Sequence, residues 1–196
     1  MAFRLLLATR NPGKVEEIRA LLSDLDVEIL PADALDAPLD VVEDAPSLRG
    51  NAEKKARAYA TAINLPALAD DTGLEVDALN GAPGVHTARY AGPDATAADN
   101  TAKMLGELNE VDDRSARFRT VACLVDGSGT ARYFEGVCEG RIARAPRGTQ
   151  GFGYDPIFIP EHHDQTFAEM NADAKNAISH RKKAMQAVRQ YLSRTL

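Results

Sequence analysis

Short apolar runs of strand length alternate with stretches whose apolar residues recur at helical spacing, and this alternation narrows the possible folds more than any other feature of the chain. Phe3 to Ala8 is an apolar run, and after it Val15, Ile18, Leu21, Leu22 and Leu25 repeat with a helical period. Val27 to Leu30 is a second short strand, Asn51 to Ile63 an alanine-rich helix, and Leu65 to Ala69 a buried strand. Thr96 or Asp99 starts a helix that runs to about Leu108, with Met104, Leu105 and Leu108 on its apolar side. Arg117 to Val125 and Ala131 to Ile142 flank the turn Asp126-Gly127-Ser128-Gly129 and so form a hairpin. Pro156 to Pro160 is a short strand and Phe167 to Ala174 a short helical turn. Ser179 caps a last helix with Ala184, Val188, Tyr191 and Leu192 turned inward. Strands alternating with helices predict an α/β fold, and the hairpin makes the sheet mixed. The 196 residues suffice for a single α/β domain over 1–196, with two lobes and a cleft between them.

Charge and cysteine usage narrow the partners. The formal net charge of -6 argues against non-specific binding to nucleic acid and against an anionic membrane surface, while leaving room for a small anion in a locally basic cleft. Met1 to Ala8 is too short and too soon interrupted to act as a signal peptide, and no apolar run approaches the length of a membrane span. Cys123 and Cys138 lie in strand-like runs without companion histidines, so they read as reduced, packed thiols of a cytoplasmic protein rather than as a zinc site.

The chemistry is concentrated in four places. The run Leu65-Pro66-Ala67-Leu68-Ala69 ends in Asp70-Asp71, with Thr72-Gly73 reading as the exit turn. Two adjacent carboxylates at a strand end repel each other, and a bound magnesium ion, which takes hard oxygen ligands, would relieve that. Alone, such a pair is a solvated acidic turn; the elements on either side of it change the reading. Before it, Thr9-Arg10-Asn11-Pro12-Gly13-Lys14 joins a strand to a helix, the arrangement that aims backbone N–H groups at an anion. It is not a Walker loop, because Val15 follows the lysine where Ser or Thr is required. Pro31 to Pro46 is a long connection with acids at Asp33, Asp36, Asp40, Glu43 and Asp44, a solvated excursion or a mobile lid. Lys54 and Arg57 read as a wet helix face.

After the acid pair, Gly148-Thr149-Gln150-Gly151-Phe152-Gly153-Tyr154-Asp155 frames an aromatic ring with glycines, which suits stacking on a flat base. Asp155 offers an acceptor for a ring N–H. Lys175-Asn176-Ala177-Ile178-Ser179-His180-Arg181 offers a cluster of donors at a helix start, with Lys182 and Lys183 on the surface. Donors match the C6 carbonyl of a purine and reject the C6 amino group of adenine, a mismatch that can discriminate by roughly 10⁴.

Six runs in this order resemble one family: Ala8 to Lys14, Ala69 to Leu74, Gly81-Ala82-Pro83-Gly84, Ala88-Arg89-Tyr90, Gly151 to Pro156 and Ser179-His180-Arg181. They are similar to the inosine/xanthosine triphosphate pyrophosphatases, and the resemblance covers nearly the whole chain. It implies hydrolysis of ITP, dITP and XTP to the monophosphate and pyrophosphate with Mg²⁺, an elongated mixed β-sheet flanked by helices, two lobes with the active site between them, and a homodimer. Carried over by position, Thr9, Arg10, Asn11, Pro12, Gly13 and Lys14 cradle phosphates, and Lys55 reaches the triphosphate. Asp71 is the general base and a metal ligand, and Glu43 is the second metal carboxylate; apart from the resemblance, Asp70, next to Asp71, is expected to support the metal or its waters. Thr72 falls among the substrate-binding positions, and Phe152, Gly153, Tyr154, Asp155, Lys175, His180 and Arg181 match the base pocket. The chain departs from the family pattern at Gly50, where a Glu is frequent before Asn51, at Val85-His86-Thr87, and at Gln150. Two other readings stand beside this one: a pyrophosphatase for another modified or a standard nucleotide, and a non-hydrolysing nucleotide sensor or nucleic-acid module using Arg181, Lys182, Lys183, Arg189 and Arg194.

Overall fold

The computed structural model describes residues 3–34 and 39–196. Positions 35–38 of the acidic connection, Asp36 included, and the first two residues lie outside that range. The strands are β1 (Phe3–Leu7), β2 (Val27–Pro31), β3 (Ala67–Val76), β4 (Pro83–Gly84), β5 (Ser115–Val125), β6 (Ala131–Ile142) and β7 (Phe158–Pro160). The helices are α1 (Pro12–Leu22), α2 (Leu48–Ile63), α3 (Ala97–Glu107), α4 (Ala172–Ile178) and α5 (His180–Thr195). The sheet runs β2-β1-β3-β5-β6-β7, with β4 on β3. β1 is parallel to β2 and β3, whereas β3/β4 and β6/β7 are antiparallel, so the fold is α/β with a mixed sheet. The chain divides into two compact units: Met1–Asp71, Thr120–Gly136 and Arg181–Leu196 make the first, and Thr72–Arg119 and Val137–His180 the second.

In the first unit, alternation along the strands sorts the core into two layers. Leu5, Leu7, Leu68, Ala122 and Leu124 meet Ile18 and Leu22 of α1 and Ala184, Met185, Val188 and Leu192 of α5. Their neighbours one residue along, Leu6, Ala67, Ala69, Cys123 and Val125, meet Ala52, Ala56 and Tyr59 of α2. Both faces of this half of the sheet are thus covered, which is why these strands read as continuous apolar runs. In the second unit one face carries the core, with Leu74, Val76, Ala116, Phe118, Cys138 and Ile142 against Met104 and Leu108 of α3 and against Phe158 and Phe167. The alternate residues carry charge: Arg117 bonds Asp77 and Glu139, and Arg119 bonds Glu75. Cys123 and Cys138 are buried and not joined in a disulfide, and burial pushes the Cys123 thiol up to about 12.

Several sequence expectations change, among them the start of α2, at Leu48 rather than Asn51, and of β7, at Phe158 rather than Pro156. Thr72-Gly73 is not an exit turn: β3 continues to Val76, with Leu74 and Glu75 paired to Gly84 and Pro83. Burial of Leu74 and Val76 outweighs the roughly 0.5–1 kcal/mol that a strand glycine costs. Helix α1 starts at Pro12 rather than Val15, because Asn11 caps it and proline suits the first helical position. The single helical turn expected at 167–174 is a 3₁₀ turn, Phe167–Glu169, followed by α4. Elsewhere Thr96 and Asp99 share one cap, since each side chain accepts from the other's backbone N–H, and Asn64 ends α2 in the left-handed conformation.

Candidate active site

Asp70 and Asp71 sit in mid-strand, so their side chains leave β3 on opposite faces. Asp70 shares the parity of Leu68 and emerges among α1 and α5; Asp71 shares that of Ala69 and emerges over α2. Their mutual repulsion is therefore relieved first by geometry, and each finds its own cations.

Asp70, 1% exposed, takes the Lys14 ammonium at 3.1 Å and the Arg181 Nε at 3.3 Å on Oδ2. Burial alone would push its pKa up, but Lys14, Arg181 and Lys55 together hold it well below the ordinary carboxylate range. Arg181, itself 1% exposed, also bonds Glu17 of α1. Burial opposes the charge on that guanidinium, and Asp70 and Glu17 restore it, so its pKa lies above the usual arginine value. On Lys14 burial prevails over the help from Asp70, and the pKa is lowered.

Asp71 has its two oxygens assigned to different partners. Oδ2 accepts from the Asn51 amide at 3.3 Å, and Oδ1 faces the Lys55 ammonium at 3.5 Å. Burial raises the Asp71 pKa, with Lys55 and Lys14 opposing that rise and Glu43 adding to it. Lys55 also donates to Glu43 Oε2 at 2.6 Å, so the carboxylates of Asp71 and Glu43 meet around one ammonium. Burial lowers the Lys55 pKa, yet Asp71, Glu43 and Asp70 overcome it and raise the value.

The donor set suits a hard divalent cation. Magnesium is held by one or two carboxylates together with waters and substrate phosphates, not by a closed protein cage. Glu43 and Asp71 are such a pair, and among the described residues no group of three or more His, Cys, Asp or Glu side chains forms a cage.

The segment from Thr9 to Lys14 forms the entry to α1. Asn11 Oδ1 accepts the Lys14 backbone N–H at 3.2 Å, Thr9 Oγ1 accepts the Asn11 N–H at 3.3 Å, and Pro12 and Gly13 fill the first turn. Arg10 lies outward, 3.9 Å from Asp40. Lys54 pairs with Asp44 and Arg57 with Glu53 on the exposed face of α2.

The remaining expected residues fall in the second unit, apart from Arg181. Phe152 is 38% exposed, with the Lys175 ammonium 4.8 Å from its ring centroid. Asp155 is buried and accepts the Phe152 backbone N–H at 2.7 Å and the Lys175 ammonium at 2.8 Å. It bends the loop back on itself, so Gly151, at φ +75°, passes close over the Asp155 carboxylate, where an added Cβ would lie 2.1 Å from Oδ2. Gly153 is likewise left-handed at φ +62°. Tyr154 is buried and gives its hydroxyl to the Thr87 carbonyl at 3.0 Å. Thr72 lies in β3 directly after Asp71. His180 stacks on Phe118 with centroids 4.6 Å apart. His180 and Arg181, adjacent in sequence and expected to act as one donor cluster, are thus tied to different partners.

Three contributors escaped the sequence reading. Asn51, Glu17 and Phe118 are residues to which the sequence assigned no role in the site. Only Asn51 left a signal: an asparagine one turn before Lys55 on an otherwise alanine-rich face.

The class of protein is then plain: an α/β chain with a mixed sheet, whose central strand carries two carboxylates compensated from opposite faces. Residues 5–191 match the Ham1 family. A dITP/XTP pyrophosphatase of Syntrophobacter fumaroxidans is 50% identical over 181 residues, covering 92% of this chain and 78% of its own. One from Porphyromonas gingivalis is 49% identical over 190 residues, covering 96% and 97%. The solved structure of a HAM1 protein from Coxiella burnetii superposes with a TM-score of 0.90 at 43% identity, over 98% of this chain and 99% of its own. The Staphylococcus aureus Ham1 protein gives 0.89 at 35% identity, over 98% and 100%. This chain belongs to the Ham1 family.

Proposed function

We propose that this protein hydrolyses non-standard purine nucleoside triphosphates, dITP, ITP and XTP, to the monophosphate and pyrophosphate, so clearing them from the nucleotide pool. Asp71 carries the reading. It is a carboxylate that burial makes more basic than a solvated aspartate, with one oxygen fixed by an amide and the other beside a lysine. It stands in a chain whose relatives are named dITP/XTP pyrophosphatases.

Asp71 takes a proton from a water that attacks the α-phosphorus. The new P–O bond forms as the bond to the bridging oxygen breaks, and that oxygen leaves with pyrophosphate. Thr9, Arg10, Asn11, Pro12, Gly13, Lys14, Lys55 and Thr72 hold the phosphate side, with the Gly13 N–H in the first turn of α1 and the two ammonium groups offsetting charge. Glu43 and Asp71 would hold Mg²⁺, which when bound would supply positive charge against that of the phosphates and the leaving pyrophosphate. Phe152 stacks on the purine, and Gly153, Tyr154, Asp155, Lys175, His180 and Arg181 shape and read its edge. Asp155 and Tyr154 do so partly by bracing the loop, as their bonds to Phe152 and Thr87 favour.

The chain acts as one domain, since the family match runs through segments of both compact units. A homodimer follows from the resemblance, and a cytoplasmic setting fits the substrate pool and two buried cysteines that form no disulfide. Among the described residues no helix is long and apolar enough to cross a membrane.

Pyrophosphate release from dITP, ITP, XTP, ATP, GTP and dTTP, with and without magnesium, tests the reading. Turnover of the first three only, and only with the metal, is expected. Asp71→Asn should abolish it in a folded protein. Equal turnover of ATP, or a fully active Asp71→Asn variant, would overturn the proposal.

A further inference from the structure

The polar side chain most completely enclosed beside Asp71 is an amide. Asn51, 1% exposed, lies near the start of α2, and a buried amide is tolerated only when it is bonded. Its Oδ1 accepts the Ala45 backbone N–H at 2.9 Å, and its Nδ2 donates to Asp71 Oδ2 at 3.3 Å. One turn later on the same face, Lys55 repeats the pattern with charge: it reaches Asp71 Oδ1 and Glu43 Oε2. Each residue thus ties β3 to the 43–45 segment, and each takes one oxygen of Asp71. Gly50 permits the close approach, since a Cβ there would lie 2.7 Å from the Ala45 Cβ.

We infer that Asn51 is a positioning residue that fixes the plane of the Asp71 carboxylate and, through Ala45, the placement of Glu43. This rests on the reading of Asp71 as the base. With Oδ2 held by an amide that donates without adding charge, Oδ1 is the oxygen that faces Lys55 and that the proposed reaction would use on the attacking water. A carboxylate free to rotate would present either oxygen, and misplacement on that scale can cost about a hundredfold in rate.

Two substitutions separate the two bonds. Asn51→Asp keeps an acceptor for the Ala45 N–H and sets a second carboxylate against Asp71 in place of the donor; Asn51→Ala removes both bonds without adding charge. With dITP and magnesium, Asn51→Asp is expected to lower kcat about a hundredfold with KM within about twofold of wild type. The Ala45 amide should stay protected from hydrogen exchange. Asn51→Ala should lower kcat as much, raise KM, and expose the Ala45 amide. Unchanged kcat in Asn51→Asp would overturn the inference. So would a loss of kcat and KM together in step with melting temperature, the mark of a merely structural residue.

A second measurement stands apart from catalysis. By NMR the Asn51 side-chain amide should exchange slowly in the wild type and fast in Asp71→Ala. If wild type fails to cleave dITP, the proposed function falls; the positioning role survives with a protected Asn51 amide and falls with an amide exchanging at the solvent rate. If Asn51→Ala does not fold, Asn51→Asp and the amide exchange decide the matter.

Discussion

Asp70 and Asp71 are the same residue type, one bond apart in sequence, with opposite electrostatic roles. Asp70 is the buried counter-ion of Lys14 and Arg181, and replacing one partner of such a cluster strands the others. Asp70→Asn is expected to cost about 3 kcal/mol in urea unfolding. Asp71 is a carboxylate whose charge burial disfavours, so Asp71→Asn should stay within about 1 kcal/mol of wild type or exceed it while losing turnover. The acid dependence follows with the same signs. Asp70 has a folded pKa below its unfolded value, so its stabilisation is complete above the ordinary carboxylate range, about pH 4, and is lost as pH falls toward its depressed folded value. Asp71, with a raised folded pKa, works the other way: its penalty grows as pH rises through that value. Urea midpoints measured below about pH 4 should fall for wild type and fall less for Asp70→Asn, whose stability at neutral pH is already reduced. A steeper acid loss in Asp70→Asn would contradict the assignment of Asp70 as the stabilising counter-ion.

At the scale of elements, periodicity made most of the fold legible. Apolar spacing located β1, α1, the β5–β6 hairpin and α5 within a few residues. What it could not show was that β3 runs on through Thr72-Gly73, because a glycine after two acids has the chemistry of a turn. That one misreading hid the site's logic. Once the strand continues, adjacent acids must point apart, and the parity of Leu68 with Asp70 and of Ala69 with Asp71 names their faces. The side-chain partners were not legible at all: no spacing connects Arg181 to Asp70 or Asn51 to Asp71, since each pair closes across separate elements. The 148–155 loop was readable as a glycine frame around Phe152, but its purpose differs at Gly151. That glycine leaves room for the Asp155 carboxylate to turn back onto the Phe152 N–H. Gly151→Ala forces a side chain into a left-handed position and onto that carboxylate. Losing a charge-assisted bond of about 1.5–3 kcal/mol should raise KM for dITP on the order of tenfold, with a smaller change in kcat. An unchanged KM would mean that the loop holds Phe152 without Asp155.

Among the described residues, the buried acids Asp70, Asp71 and Asp155 are met by cations of the chain itself. The net charge is -6, yet Asp70 is met by Lys14 and Arg181, and Glu43 and Asp71 by Lys55. Such compensation predicts a fold that holds together without a metal. The proposed Mg²⁺ then belongs to the substrate's chemistry and not to the stability of the chain, in contrast with structural metal sites, whose binding energy is folding energy. Chelation with excess EDTA should therefore abolish pyrophosphate release while shifting the melting temperature by no more than about 2 °C, the change expected for at most about 1 kcal/mol in a chain of this size. Adding magnesium without nucleotide should stabilise weakly, because Lys55 already occupies the charge between the two carboxylates. Magnesium with a non-hydrolysable dITP analogue should stabilise more than either alone, as mass action requires when phosphates complete the cation's ligand set. Unfolding on chelation would show that the lysines and Arg181 do not suffice as counter-ions, and the account of the acid pair as internally compensated would have to be given up.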